Sequence, residues 1–214
     1  MLARLILLST FLTSGSHAGV IDRIAVTLDN QIITESEITQ EIRLTAFLNG
    51  ESPDFSPENR KKAADRLVEQ KLVRREVQLG RYLEPSGNDV ETMLKQIQTQ
   101  QFQSLAEYRR ALESYDLQEE DLKGHLHWQI TLLRFIDARF RPGVQVTDGE
   151  IRAYYESQMA KLEKTDPGKK PKLEELRDQI RETLINQRVD QQLDEWLAAA
   201  RRRARIQFHP EAFQ

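Results

Sequence analysis

Residues 20–38 read "VIDRIAVTLDNQIITESEI", and the character of the sequence changes once within this stretch. Apolar and polar residues alternate over 24–28, which is typical of a short, half-buried β-strand. Asp29-Asn30 then predicts a turn, and the isoleucine pair after it predicts a second short strand. Thr34 and Glu37 form the pattern T-x-x-E, whose side-chain oxygens accept hydrogen bonds from free backbone N–H groups at a helix start. The chain is therefore expected to pass from a β-hairpin into a helix at Thr34.

From Thr34 to Arg203 the sequence is dominated by helical signals. Further helix starts are predicted at Ser56-Pro57, at Ser86, at Ser104 with Glu107, and at Thr147 with Glu150. Gly80 supplies a stop for the helix that begins at Pro57. We predict a mainly α fold, in which a multi-helix domain carries a small N-terminal β-hairpin.

The helix expected from about Gln118 to Arg139 is apolar on two sides. One stripe contains Leu122, Leu126, Ile130, Leu133 and Ile136, and the other, roughly opposite, contains Trp128, Leu132 and Phe135. Because both stripes have to be covered, this helix is expected to lie between two packing partners.

The last helix, from about Lys172, also has two apolar stripes. The first contains Leu176, Ile180 and Leu184, and the second contains Ile185, Val189, Leu193 and Leu197. The two halves of the helix are therefore expected to pack on different surfaces. After it, "ARIQFH" at 204–209 alternates like a strand and is predicted to join the N-terminal hairpin, bringing the two ends of the domain together.

The first residues, "MLARLILLSTFLTSGSHAG", have the order of a secretory signal peptide. Arg4 precedes an uncharged apolar run at 5–12, and small residues predict cleavage between Ala18 and Gly19. This run is shorter than the roughly 20 apolar residues of a membrane span, so no stable membrane insertion is expected. A buried N-terminal helix is the alternative, but "SGSHAG" would end it at once. The chain has no cysteine, and 30% of its residues are charged, so an exported domain of this size fits a bacterial periplasm better than a small disulfide-rich secreted scaffold.

No catalytic, cofactor-binding or metal-binding motif is found in the sequence. It contains neither a Gly-rich phosphate loop nor G-x-S-x-G. His125 and His127 are expected on opposite sides of a helix, whereas zinc ligands on a helix are spaced i, i+4. "RRRAR" at 201–205 raises the possibility of nucleic-acid binding, but cations are also favoured at a helix C-terminus. Since the whole chain is acidic, no nucleic-acid partner is expected.

The order of these features resembles the SurA-type family of periplasmic chaperones and peptidyl-prolyl isomerases. The hairpin followed by an acidic helix start, the helix "LVEQKLVRREVQLG" and the segment "VTDGEIRAYYE" resemble the family's N-terminal domain. The segment 176–208 is similar to the C-terminal helix and strand that complete that domain. The resemblance implies an ATP-independent chaperone whose clients are unfolded outer-membrane β-barrel or secreted proteins.

One part of the family pattern is missing. In the family, one or two parvulin isomerase domains lie between the "AYYE" helix and the C-terminal helix. Here only residues 158–171 occupy that place, and a folded domain needs at least about 50 residues. The expected organisation is a signal peptide (1–18) and one chaperone domain (19–214). The latter consists of a core (19–157), a linker (158–171) and a C-terminal helix and strand (172–214). No enzymatic activity is expected.

Two other functions remain open, namely an adaptor for one folded periplasmic partner and, least favoured, an isomerase. Clients are expected to bind an apolar helical groove, because methionine and aromatic side chains suit promiscuous contacts. The candidate client-binding residues are Met93, Phe102, Tyr108, Tyr115, Trp128 and Phe135, with Phe102 predicted as an exposed aromatic in a polar loop.

Overall fold

The structure is a computed structural model that describes residues 22–80, 82–165 and 171–214. Within these ranges the chain forms three β-strands and seven α-helices, with two short 3-10 helices. The strands are β1 (Ile24–Leu28), β2 (Gln31–Thr34) and β3 (Ile206–Phe208). The helices are α1 (Glu35–Asn49), α2 (Pro57–Gly80), α3 (Gly87–Gln101), α4 (Leu105–Ser114), α5 (Glu119–Arg139), α6 (Asp148–Thr165) and α7 (Leu173–Arg203). The predicted mainly α fold is confirmed, whereas the predicted signal peptide and its cleavage site lie outside the described residues.

The three strands form one antiparallel sheet in the order β2-β1-β3. β1 and β2 are joined by the predicted turn, in which Asp29 has a positive φ of 52°. β3 pairs with the free edge of β1, and the backbone N–H of His209 donates to the carbonyl of Ala25 at 2.9 Å. The prediction that the C-terminal strand joins the hairpin is therefore confirmed.

The predicted capping box at Thr34 starts α1. The hydroxyl of Thr34 accepts from the backbone N–H of Glu37 at 3.3 Å, and the carboxylate of Glu37 accepts from that of Thr34 at 2.8 Å. Thr147 and Glu150 make the same pair of bonds. At α4 the pair is displaced, because the carboxylate of Glu107 accepts from the N–H of Gln103 instead of that of Ser104.

The buried side chains group into three clusters. Cluster 1 joins the sheet to α1, the first half of α2 and the end of α7. Cluster 2 joins the second half of α1 to α3, α4 and the first half of α5. Cluster 3 joins the second halves of α2 and α5 to α7. Helices α1, α2, α5 and α7 therefore each contribute side chains to two of the three clusters.

Helix α5 is packed on two sides, as predicted, but its partners change along its length. Leu122, Leu126 and Ile130 belong to cluster 2, whereas Ile136 belongs to cluster 3 with the opposite stripe. Leu133 is 58% exposed, so its assignment to a buried stripe was wrong. The reason is that cluster 2 contains no residue of α5 beyond Ile130, so the far end of that stripe has no partner there.

Helix α7 contacts different surfaces with its two halves. Its first half runs back along α6, where Arg188 bonds the carboxylate of Glu150 and the hydroxyl of Tyr155 donates to the carbonyl of Pro171 at 2.9 Å. The second apolar stripe, from Ile185 to Leu197, packs in cluster 3. Because α6 continues to Thr165, residues 158–165 of the predicted linker are helical, whereas Pro171 precedes α7. Residues 166–170 of the linker lie outside the described residues.

Candidate functional site

The six candidate client-binding residues lie at different depths. Tyr108 and Phe135 are fully buried and Trp128 nearly so, which makes all three core residues in this conformation. Met93, Phe102 and Tyr115 are half-buried and pack on the outside of cluster 2. Met93, Phe102, Tyr108 and Tyr115 lie on α3 and α4 or directly after them, whereas Trp128 and Phe135 lie on α5.

Phe102 and Tyr115 border an open groove of about 470 Å³, which we call the aromatic groove. It is formed by the C-terminal ends of α1 and α3 together with α4. Its lining consists of Phe47, Leu48, Asn49, Gly50, Gln101, Phe102, Ala111 and Tyr115. Aromatic and aliphatic side chains therefore line the groove together with Asn49 and Gly50, where α1 ends, and Gln101, where α3 ends.

Phe47 is the centre of this aromatic arrangement. Its ring stacks on Phe102 with centroids 5.8 Å apart and meets the rings of Tyr115 and Tyr108 edge-on at 5.5 and 6.4 Å. Phe102 is thus half-buried rather than exposed, because the turn between α3 and α4 folds its ring back onto Phe47. Sequence reasoning missed Phe47; its only signal was its place on the apolar side of α1, three residues after Leu44.

Tyr108 lies beneath the groove and its hydroxyl is unusual. The side chain is fully buried, and its hydroxyl has no hydrogen-bond partner within the part of the chain that the structure describes. Burial disfavours the charged phenolate and raises the pKa of Tyr108 to about 12. By contrast, the hydroxyl of Tyr115 donates to the carbonyl of Glu51 at 2.8 Å, which holds that ring at the groove wall.

A second concave surface lies where the three clusters meet. Two adjoining hollows of about 470 and 410 Å³ follow α2 between α1, α5 and α7, and we call them together the interhelical cleft. They share Glu41, Leu67, Gln70 and His125. The remaining lining residues are Glu37, Gln40, Leu44, Arg66, Glu69, Val73, Arg74, Glu120, Asp121, Gly124, His127, Trp128, Gln129, Leu132, Leu193, Asp194 and Leu197.

The floor of the interhelical cleft is apolar and includes Trp128. Leu132, Leu193 and Leu197 lie beside it and belong, like Trp128, to cluster 3. The guanidinium of Arg74 lies over the indole of Trp128, 4.4 Å from the ring centroid, in cation–π geometry. Of the predicted client-binding residues, Trp128 is the one that borders this cleft.

Ion pairs occupy part of the rim of the interhelical cleft. The carboxylate of Glu41 is only 12% exposed and accepts from Nε of Arg66 at 3.0 Å. Glu37 pairs with Lys71 at 3.0 Å. Glu69 faces Arg201 at 3.4 Å, yet burial is the larger influence and raises the pKa of Glu69 above its ordinary value.

His125 lies half-buried in the centre of the interhelical cleft. Burial lowers the pKa of its imidazole, and the charge of the Glu41 carboxylate opposes that effect. His125 and His127 border the same hollow. Among the described residues, however, no three His, Cys, Asp or Glu side chains come together in a way that could hold a metal ion.

The basic run near the C-terminus has a structural role. Arg201, Arg202 and Arg203 form the last turn of α7, where cations stabilise the helix dipole. Arg201 also joins α7 to α2, because its guanidinium lies 2.7 Å from the carboxylate of Asp65.

No known family model matches the chain. Within the ranges that the structure describes, no helix combines the length and the apolar character needed to span a lipid bilayer.

Proposed function

We propose that this protein is an ATP-independent chaperone of the bacterial periplasm that holds unfolded polypeptides, with outer-membrane β-barrel or secreted proteins as clients. The observation that carries the proposal is the aromatic groove. The half-buried rings of Phe102 and Tyr115 pack on the buried ring of Phe47 and offer aromatic surface in an open groove, beside polar residues such as Asn49 and Gln101. Such a surface accepts many different apolar segments.

The resemblance to the SurA-type family supports the same proposal independently of the groove. It concerns the hairpin, the "EIRAYYE" helix and the C-terminal helix, which all belong to the chaperone part of that family.

We propose no enzymatic activity, since residues 158–171 leave no room for a parvulin domain. In a protease-coupled assay on a proline peptide, the protein should not change the rate of cis–trans isomerisation of the X–Pro bond. The uncatalysed reaction takes tens of seconds or longer. Acceleration that grows with protein concentration would overturn this part of the proposal.

The decisive experiment measures whether the protein suppresses aggregation of several unrelated denatured clients. Ala111 borders the aromatic groove, so Ala111→Glu places a charge in it and should abolish suppression. Ala106 lies exposed on the same helix outside the groove, and Ala106→Glu is the matched control that should keep full activity. Equal suppression by the two variants would refute the groove as the client site.

The same experiment separates the chaperone from an adaptor. An adaptor would leave the denatured clients to aggregate and would instead form a complex with one folded partner. Breadth of binding therefore decides between the two functions.

The proposed location requires export. N-terminal sequencing of the product from a periplasmic extract should begin at Gly19, after cleavage behind Ala18. An intact Met1 on a cytoplasmic product would overturn the periplasmic proposal, while leaving the aggregation experiment open.

A further inference from the structure

The interhelical cleft differs from the aromatic groove in its charge. Six carboxylates and two arginines border it, so the cleft is negative as a whole. Its floor is apolar and lies on cluster 3, with Trp128 and Leu132 from α5 facing Leu193 and Leu197 from α7. A surface of this kind is complementary to a segment that carries both apolar and cationic side chains.

Half of these carboxylates already have a cationic partner on another helix. Glu37, Glu41 and Glu69 face Lys71, Arg66 and Arg201 respectively.

The other three carboxylates are not neutralised in this way. The carboxylate of Asp194 makes no ion pair or hydrogen bond within the described ranges. Asp121 accepts hydrogen bonds from the amide of Gln40 and the backbone of Gln118, neither of which is charged. Glu120 is 81% exposed and lies 3.6 Å from Lys123, a lysine shared with two further carboxylates.

We infer that the interhelical cleft binds a polypeptide segment that carries both leucine-like side chains and lysine or arginine. The apolar side chains contact the floor between α5 and α7, and the cations lie near Asp194 at one end and near Glu120 and Asp121 at the other. This inference rests on the proposed function in that its ligand is a polypeptide. It concerns a separate surface, however, and adds a preference for segments with cationic side chains, which the aromatic groove does not provide.

The charge of the cleft argues against other macromolecular partners. A carboxylate-rich rim repels the phosphates of nucleic acids and of anionic lipids. The floor is also concave and lies between helices, whereas a membrane surface requires an apolar face that projects outward.

The test uses three dye-labelled peptides of about twelve residues and measures fluorescence anisotropy with the full exported protein. The first peptide carries leucines and lysines at helical spacing, the second replaces every lysine by glutamate, and the third replaces every leucine by serine. We expect the first to bind at least ten-fold more tightly than either of the others. Its affinity should also fall as salt rises, because exposed charges are screened.

A pair of matched double variants locates the site. Asp194→Asn with Glu120→Gln removes two carboxylates from the cleft and should weaken binding of the lysine peptide several-fold. Glu156→Gln with Glu113→Gln removes two exposed carboxylates that do not border the cleft, on α6 and α4, and should leave it unchanged. Trp196→Phe leaves Trp128 as the only tryptophan, and its emission should change as the peptide binds.

Three results would overturn the inference. These are equal binding of the lysine and glutamate peptides, equal effects of the two double variants, and loss of peptide binding in Ala111→Glu, which would assign the peptide to the aromatic groove. None of them changes the aggregation experiment. Failure of the inference and failure of the proposed function can therefore be told apart.

Discussion

Val26 pairs with Phe208 across an antiparallel ladder that joins the two ends of the described domain. Next to this pair, the hydroxyl of Thr27 lies 3.0 Å from Nε2 of His209, although 182 residues separate them in sequence. Phe208 and Phe213 pack together against cluster 1, which contains the fully buried Val26. The C-terminal strand therefore covers the edge and part of the core of the N-terminal hairpin.

Deletion of residues 204–214 should destabilise the protein without unfolding it. It removes β3 together with Phe208 and Phe213, which are both partly buried against cluster 1. Because neither ring is fully buried, we compare the loss of folding free energy with that for truncating one buried aromatic side chain, about 3 to 5 kcal/mol. For a chain of this length that corresponds to a fall in Tm of about 6 to 20 °C. Gln207→Thr, at an exposed position of the same strand, is the control and should melt like the parent. An unchanged melt of the truncated protein would contradict the structural role of β3.

Deletion of residues 172–214 should have a much larger effect. It removes all of α7, whose Trp196 ring lies 5.6 Å from the ring of Phe135 and 6.3 Å from that of Phe140. Exposing several buried side chains at about 1.5 to 3 kcal/mol each exceeds a typical stability of about 5 to 15 kcal/mol. The remainder should unfold or aggregate, which circular dichroism and size-exclusion chromatography would detect. A soluble, folded remainder would mean that α7 is a detachable arm.

Tyr108→Phe should leave the free energy of unfolding unchanged or raise it by about 1 kcal/mol. The mutation removes a buried hydroxyl that has no hydrogen-bond partner within the described ranges and keeps the ring contacts with Phe47 and Phe102. Tyr115→Phe is the matched comparison. It removes a hydroxyl that donates to the carbonyl of Glu51, so it should lower the free energy of unfolding by about 1 kcal/mol. Urea denaturation of both variants checks the prediction, and the reverse order would refute it.

His125 should make the protein less stable in mild acid. Burial lowers the pKa of His125 in the folded state below its ordinary value of 6.5, so the unfolded chain binds the proton more readily. The stability that the neutral imidazole contributes is present above pH 6.5 and is lost as the pH falls through the folded pKa. His125→Gln should reduce this loss, as measured by urea denaturation at several pH values.

An NMR titration of the same imidazole provides an independent check on its pKa. The His125 signal should titrate below pH 6.5 in the native protein and near the ordinary value in urea. Titration above pH 6.5 in the native protein would mean that the charge of Glu41 outweighs the effect of burial.

Several features of the fold follow from short stretches of sequence. The hairpin and the helix start at Thr34 depend on alternation and on one capping pair, both of which act over a few residues. The two-sided character of α5 and the strand after α7 were also predictable, because apolar periodicity shows how many faces an element must bury.

Which particular faces meet could not be predicted in this way. Leu133 is exposed although it continues the stripe of Leu122 and Leu126, because the apolar packing of cluster 2 on α5 ends at Ile130. Phe102 is half-buried although its sequence neighbours are polar, because Phe47 lies close in space. Apolar periodicity shows which residues of one helix share a face. The exposure of Leu133 and the burial of Phe102 depend instead on which other elements lie next to them.

The sequence by itself thus determined the mainly α class, the hairpin with its third strand, and the helices that require two partners. Only the tertiary structure decided where the concave surfaces lie. The aromatic groove requires the ends of α1, α3 and α4 to converge, and the interhelical cleft requires the three clusters to meet along α2. Both depend on the distances between helices, which are set by packing among residues far apart in the chain.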